Sequence, residues 1–219
     1  MGNLPDPLFI LVALTTIGLL PFLALMVSSF TKIVIVLGLL RQALGTQQVP
    51  PNMVLNGMAL ILTMFIMAPV ISQGWENLDL KNRGAQFGKR FDDLQIAMNA
   101  VEAPLKGFLD KHVQEHYRKF FIRAAKETWP KEKSVDVARD DMVILVPSFM
   151  VTEVTAAFQI GFVLYLAFIV IDLVIANILL ALGMMMTSPT LISIPFKLLL
   201  FIALDGWSRL LEALVLTYR

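Results

Sequence analysis

Cysteine is absent from the 219 residues, which excludes disulfide bonds, thiolate metal sites and cysteine nucleophiles. Charge is also scarce, because Asp, Glu, Lys and Arg make up only 16% of the chain, against about 25% in soluble domains. The two signs nearly balance to a net charge of +1. Without a basic tract to neutralise phosphates, nucleic acid is not expected as a partner. No period-2 alternation of useful length is present, so we predict no β-strands.

Apolar residues dominate the sequence. They account for 57% of it, and the mean hydropathy is +0.73. The charges are concentrated in residues 76–141, which hold 12 acids and 13 bases and leave only five of each for the other 153 residues. We therefore predict an all-α protein that inserts into membrane lipid through apolar helical hairpins, with a helical extramembrane domain inserted between them.

Three regions follow from this distribution. Residues 1–75 are predicted to form the first apolar hairpin, because residues 8–40 and 53–75 together carry one charge and are each longer than the roughly 20 residues that cross a bilayer. A proline pair interrupts the helix between them. Residues 76–141 have apolar positions at three- and four-residue spacing, which predicts two or three amphipathic helices. Residues 142–219 are predicted to form a second hairpin.

The orientation of the hairpins follows from the positive-inside rule. Lys32 and Arg41 are the basic residues near the tip of the first hairpin, and they place that tip in the cytoplasm. By parity the tip of the second hairpin is cytoplasmic too, with both termini and the charged domain outside. The first seven residues contain Asp6 and no base, unlike a secretory signal, so we expect the N-terminus to be retained.

Ionisable residues inside the apolar helices need partners, because a lone buried charge costs several kcal/mol. Asp172 and Lys197 are equally far from the predicted tip of the second hairpin, roughly 19 Å back along each helix. Antiparallel packing would make them a buried ion pair. Asp205 and Arg209 have i,i+4 spacing and form a second candidate pair on one helix face.

Glu153 has no evident partner in the chain, and Lys32 has none in its own hairpin, so contacts between subunits are expected to supply them. Arg41 is a further candidate for an inter-subunit or helix-face charge. Three interpretations of these charges remain open: simple neutralisation within a helix bundle, a proton or ion relay, and specification of assembly. The relay interpretation makes the chain an ion-coupled transporter subunit that uses Asp172 and Glu153. No internal repeat supports that alternative.

Residues 112–116 read HVQEH, the H-x-x-E-H pattern of inverted zinc peptidases. His112 and His116 are the only histidines, and a third ligand would have to be one of many carboxylates. The surrounding charges are typical of a solvated helix face. We therefore expect no metal, no cofactor and no catalytic residues, and the chain is not expected to be an enzyme.

Several runs of residues resemble the FliP/SctR (YscR-like) family of type III secretion export-apparatus proteins. The first hairpin contains RQALGTQQVPPN at residues 41–52 and MAP at 67–69. The second hairpin contains FQIGF at 158–162, ALGMMMTSP at 181–189, ISIPFK at 192–197 and LDGW at 204–207. Two features resemble the injectisome branch of the family more than the flagellar branch. One is Ser188 before Pro189, where flagellar members more often have two prolines, and the other is the absence of a signal-like N-terminus. Gln42 departs from the Asn of many relatives.

The resemblance implies a pore-forming subunit that conducts unfolded effector, needle and translocator proteins across the bacterial inner membrane. It implies five copies of this chain, joined by four copies of a small two-helix SctS/FliQ-like subunit and one SctT/FliR-like subunit. SctU/FlhB-like and SctV/FlhA-like proteins are further implied partners. Such a complex is expected to extend toward the periplasm.

Met184, Met185 and Met186 lie at the predicted tip of the second hairpin. On a helix, three successive side chains sweep about 200°, so they cannot all pack on one partner. They are either a flexible apolar plug or, as the resemblance implies, part of a methionine ring from five copies. Such a ring would close the channel as a deformable gasket, because thioether side chains adapt to irregular surfaces.

Overall fold

The helical fold predicted from the sequence is confirmed. The computed structural model describes residues 15, 18–19, 21–46, 48–78, 91–130 and 137–219, with only the backbone described for 91–98. Among these residues there is no strand. The helices are α1, Phe30–Ala43; α2, Asn52–Asn77; α3, Phe91–His112; α4, Glu115–Thr128; α5, Met142–Ala181; α6, Pro189–Ala203; and α7, Gly206–Leu216.

Two of the described helices, α2 and α5, are long and apolar enough to cross a membrane. A third crossing exists if α6 and α7, which meet at a bend of 64°, are counted as one span. The bend lies at Asp205, whose backbone is left-handed with a φ of 52°. A non-glycine residue adopts that conformation only rarely, and it ends α6 and redirects the chain into α7.

The long apolar stretch at residues 8–40 is not one helix. Residues 21–26 are helical, but the chain turns at residues 27–29 before α1 begins. The Ser28 hydroxyl donates to the Leu25 carbonyl at 3.0 Å and accepts from the Phe30 N–H at 3.4 Å, so it satisfies backbone groups on both sides of the break. Most of the stretch before residue 21 lies outside the described residues.

Helix α1 is the centre of the first hydrophobic core. Its residues Ile33, Val36, Leu37 and Leu40 are all 0% exposed. They follow one another at three- and four-residue spacing and pack against side chains of α2, α5, α6 and α7. Although α1 has only 14 residues, its buried side chains share one hydrophobic cluster with residues of four other helices.

The described residues of the charged middle segment share their hydrophobic cluster with the apolar helices. Phe108, Leu109 and Val113, from α3 and the residue after it, form the second hydrophobic cluster together with Met67 of α2 and Phe149 of α5. Helix α3 also packs closely on the end of α2, where Asn77 donates to the Ala100 carbonyl at 3.1 Å. The division of the chain at residues 76 and 141 stays a prediction, and the packing is continuous across it.

Helix α5 is longer than a bilayer crossing requires. Its 40 residues correspond to about 60 Å, twice the roughly 30 Å of hydrocarbon. The first half is buried against α1, α3 and α4, through Ile144, Ser148 and Thr152 among others. From Phe158 onward large apolar side chains are exposed. The second half of α5 is therefore the part suited to lipid or to another apolar surface.

Helix α1 contacts α5 closely at Gly161. A Cβ added there would lie 2.2 Å from Leu39 Cδ1 and 3.0 Å from Leu39 Cβ. Lys32 pairs with Glu153 seven residues before Leu39 on α1 and eight residues before Gly161 on α5, so α1 and α5 run in the same direction. The glycine allows the two helices to touch.

We expect Gly161→Ala to destabilise the protein by about 1–3 kcal/mol, because Leu39 must move or α1 must shift away from α5. Combining it with Leu39→Ala should recover part of the loss. Gly57→Ala is the matched control, since a Cβ at Gly57 meets nothing within 4 Å. Thermal unfolding in detergent measures all four proteins. Equal unfolding temperatures for the Gly161 and Gly57 variants would contradict the close contact.

Candidate functional site

Asp172 and Lys197 meet across the second hairpin. Lys197 Nζ lies 2.7 Å from Asp172 Oδ2, which joins α5 to α6. The Lys197 side chain is 3% exposed and the Asp172 side chain is 31% exposed. The carboxylate therefore retains some contact with the surroundings, whereas the ammonium depends wholly on the protein for its partners.

Lys197 has a second acceptor that the sequence did not indicate. It donates to the Ala43 carbonyl oxygen at 3.1 Å. Ala43 is the last residue of α1, and the last carbonyls of a helix lack intrahelical donors and carry partial negative charge. One buried ammonium thus links α1, α5 and α6. Ser193, four residues before Lys197 on α6, also donates to Asp172.

Lys32 and Glu153 are partners of each other, so the expectation that other subunits supply their partners is wrong. Lys32 Nζ lies 3.0 Å from Glu153 Oε1, and the two side chains are 6% and 2% exposed. The pair was missed because the residues are 121 positions apart and on different predicted hairpins. Packing of α1 along α5 brings them together.

Tyr218 completes the surroundings of this second pair. Its hydroxyl donates to Glu153, and its ring lies 4.0 Å from Lys32 Nζ, a cation–π contact. Tyr218 lies just after the end of α7. Burial raises the pKa of its hydroxyl far above the ordinary value, and the nearby Glu153 carboxylate raises it further. The phenol therefore stays protonated and remains a donor. Thr217 accepts from Lys32 at 3.5 Å.

The two ion pairs hold α1 at both ends. Lys32 lies near its first residue and Lys197 bonds to its last, and the carboxylates of both pairs, Glu153 and Asp172, lie on α5. We call these two sets of contacts the α1 clamps. Because each buried ion would cost several kcal/mol without its partner, the clamps select one position of α1 along α5.

Asp205 and Arg209 are not an ion pair, so that prediction is wrong. Asp205 accepts from the Ser208 hydroxyl at 3.0 Å. An ion pair at i,i+4 spacing requires both residues to lie on one helix. Instead Asp205 precedes α7 in the left-handed conformation, which separates the two side chains.

Arg41 has a local role in the first loop. Its guanidinium donates to Asn52 Oδ1 at 2.7 Å and to the Pro50 carbonyl at 3.1 Å. These bonds close the loop between α1 and α2. The sequence proposed an inter-subunit or helix-face role for Arg41, and the structure shows this contact within the chain.

His112 and His116 do not share a helix face. His112 is the last residue of α3, and His116 belongs to α4. His112 is not solvated as expected, because its Nδ1 lies 2.7 Å from the Phe108 carbonyl oxygen and its ring lies against Tyr218. Across the described parts of the chain, no group of three His, Asp or Glu residues is arranged to hold a metal ion.

Met184, Met185 and Met186 lie in the turn that joins α5 to α6, not on a helix. The prediction that their side chains spread around a helix is therefore wrong. Gly183 has a φ of 73°, which favours glycine and ends α5. The three side chains are 45%, 80% and 103% exposed. They form what we call the methionine tip, which projects beyond the clamp at Asp172.

Comparison with known proteins identifies the family of this chain. The sequence model described as FliP family matches residues 13–214. The chain belongs to the FliP family.

Relatives of this FliP-family chain match it over nearly its whole length. It is 50% identical to "Hypersensitivity response secretion protein HrcR" of Ralstonia nicotianae over 210 residues, which cover 96% of each chain. It is 45% identical to "Yop proteins translocation protein R" of Yersinia pestis over 218 residues, covering 100% of this chain and 99% of the relative. It is 41% identical to "Virulence protein YscR" of Salmonella typhimurium over 220 residues, covering 99% of each.

The FliP match includes both ion pairs and the methionine tip, but it ends before Tyr218. Ser193 could have been found from the sequence, since it lies one helical turn from Lys197 and faces the same side. The Ala43 carbonyl could not, because a backbone acceptor leaves no mark in a sequence.

Lys197 is more deeply buried than Asp172, so we expect the two alanine substitutions to differ in their cost to this FliP-family protein. Asp172→Ala leaves a lysine that is 3% exposed without its counter-ion, which should cost about 3–5 kcal/mol. Lys197→Ala should cost less, because Asp172 keeps Ser193 as a donor. The double alanine variant should be more stable than the sum of the single losses indicates. Unfolding in detergent gives the coupling energy.

Asp205 and Arg209 provide the matched control for that double-mutant cycle, and their coupling energy should be near zero. A coupling between Asp172 and Lys197 no larger than that of the control pair would show that their contact contributes nothing to stability.

Proposed function

We propose that this chain is a pore-forming core subunit of the type III secretion export apparatus and that it conducts unfolded substrate proteins across the bacterial inner membrane. The family relation supports this, since relatives that match the full chain are named as secretion and translocation proteins. The helices α2 and α5, both suited to crossing a membrane, support a location in the membrane. The chain is a secretion-apparatus component and not an enzyme in this proposal.

The observation that carries the proposal is the methionine tip at the end of a braced hairpin. The Asp172–Lys197 pair fixes α5 to α6 about ten residues before the turn, and Lys197 also fixes both to α1. Beyond this bracing, Met185 and Met186 are 80% and 103% exposed and contact little of their own chain. A rigid arm thus presents soft, unbranched side chains to whatever lies beyond it.

A gasket follows from this arrangement when several copies converge. Thioether side chains change conformation at low cost and carry no strong hydrogen-bonding group. A ring of them closes over water and ions, yet yields around an unfolded chain of any sequence. Five copies of the chain, with SctS/FliQ-like and SctT/FliR-like subunits completing the assembly, would supply such a ring.

Exposed apolar side chains on α5 and α6 support assembly with other subunits as well as with lipid. Phe162, Leu199 and Ile202 are each more than 60% exposed. Contiguous apolar surface of this kind marks a face that contacts lipid or protein. In the proposed assembly these faces pack against neighbouring subunits, and the complex extends toward the periplasm. SctU/FlhB-like and SctV/FlhA-like proteins are its further partners in the apparatus.

The geometry weighs against the ion-coupled transporter alternative. A relay carboxylate must exchange protons or ions, but Glu153 and Asp172 each lie within 3.0 Å of a buried lysine. A carboxylate that carries ions must be free to exchange its partner, whereas each of these two is held by a lysine of its own chain. Both carboxylates are therefore better suited to holding helices than to a relay.

Replacement of the three methionines by alanine tests the proposal. Met184→Ala, Met185→Ala and Met186→Ala together should widen the closed channel, because each substitution removes a flexible side chain from the constriction. We expect increased ion conductance across membranes that contain the assembled complex, with secretion retained.

Met53→Ala with Met64→Ala is the control, since these methionines are 79% and 61% exposed and lie on α2, outside the methionine tip. That variant should conduct no more than the unmodified complex. If the tip variant assembles and is no leakier than this control, the gasket is refuted. If it leaks but no longer secretes, the expectation that the tip seals the channel without being required for export is refuted.

A further inference from the structure

A groove lies between α5, α6 and α7. Its volume is about 630 Å³, within the range of about 300–1,000 Å³ that is usual for ligand sites. The 64° bend between α6 and α7 forms it, because α7 turns away from the line of α6 and leaves a wedge against α5. Residues 159–168 of α5 form one wall, about 14 Å long.

The lining of the groove is almost wholly apolar. Val163, Leu164, Phe168, Phe201 and Leu210 contribute much of it. The only polar side chains among the lining residues are Gln159 and Arg209. An elongated apolar slot on a helix suited to crossing a membrane matches a hydrocarbon chain.

Arg209 gives the groove a charge. No carboxylate among the described residues is within ion-pairing distance of its guanidinium, because Asp205 accepts from Ser208 instead. Glu212 is three residues further along α7, about 60° around the helix from Arg209 and about 100° from the centre of the face that lines the groove. The groove therefore presents one cation and no acid.

We propose that this groove binds one anionic phospholipid, with an acyl chain along α5 and the phosphate on Arg209. A guanidinium donates two parallel hydrogen bonds to a phosphate group, and a long side chain in an apolar region extends toward the headgroups. The site lies at the end of the apolar half of α5 that is nearer the charged segment, where Gln159 is six residues from Glu153. That position places the guanidinium within reach of a headgroup.

A second copy of the chain fits this groove less well. Outside residues 76–141 the chain has only five acids, and Glu153 and Asp172 are already paired with lysines. An apolar helix from another copy would cover Arg209 and leave its guanidinium without an acceptor, which is costly. A phosphate supplies the missing acceptor.

Fluorescence of Trp207 provides the test. Trp207 packs edge-on against Phe201, a groove residue, with ring centroids 5.3 Å apart. Trp75→Phe and Trp129→Phe remove the other two tryptophans, both of which are exposed. The full chain is reconstituted in phosphatidylcholine vesicles that contain a small, equal fraction of either brominated phosphatidylglycerol or brominated phosphatidylcholine. We expect the brominated phosphatidylglycerol to quench Trp207 more strongly.

Substitutions at Arg209 assign the preference to the groove. Arg209→Gln should lower the relative affinity for phosphatidylglycerol by roughly tenfold or more, the effect of losing a charged hydrogen bond. Arg209→Lys should keep part of it. Arg219→Gln removes the same charge from outside the groove and should leave the preference intact.

Ala213→Phe fills the groove with a larger side chain and should reduce quenching by both brominated lipids. Equal quenching by the two lipids in the parent protein would overturn the proposal, as would the same loss of preference in the Arg209→Gln and Arg219→Gln variants. If delipidated protein instead forms oligomers and loses them on Ala213→Phe while showing no lipid preference, the occupant is a second copy and the proposal is wrong. These readouts need no secretion activity, so they are independent of the pore function.

Discussion

Buried lysine–carboxylate pairs at the two ends of α1 organise the apolar part of this protein. Helix α1 has only 14 residues, and apolar packing alone would allow it to slide along α5, since aliphatic side chains offer many near-equivalent contacts. Lys32 and Lys197 remove that freedom. A shift of α1 by one turn would separate Lys32 from Glu153 and the Ala43 carbonyl from Lys197. The Lys32 and Glu153 charges would then be buried without partners, which costs several kcal/mol.

The clamps also divide the molecule into a rigid and an adaptable part. Around Glu153, the chain joins α1, α5 and Tyr218 through an ion pair, a hydrogen bond and a cation–π contact. Around Asp172, the chain joins α1, α5 and α6. Past Asp172 such contacts cease, and the turn carries methionines that contact little of their own chain. The rigid clamps and the flexible methionine tip suit a subunit that must hold a gasket in position without binding the chain that passes through it.

Hydrogen bonds connect the charged segment directly to α5. The Gln114 N–H donates to the Thr152 hydroxyl, and the Tyr117 hydroxyl bonds to the Thr155 hydroxyl. Both threonines lie on α5 within two residues of Glu153. Forces on α4 therefore act directly on the helix that carries both carboxylates of the clamps. The charged segment and the hairpins behave as one packed structure, because their buried side chains belong to shared clusters.

Sequence alone determined the helical class, the membrane character, the two helix breaks and the family, because these depend on local properties: hydropathy over 20 residues, proline and glycine at turns, and runs of residues typical of FliP proteins. It also indicated Asp172 with Lys197, since symmetry about a hairpin tip relates two positions without further knowledge. Tertiary structure decided the remainder. Lys32 and Glu153 are 121 residues apart, and only the packing of α1 along α5 makes them neighbours. Asp205 was misjudged because its left-handed backbone, which ended the helix that the spacing assumed, depends on how α6 and α7 pack and not on the residue itself.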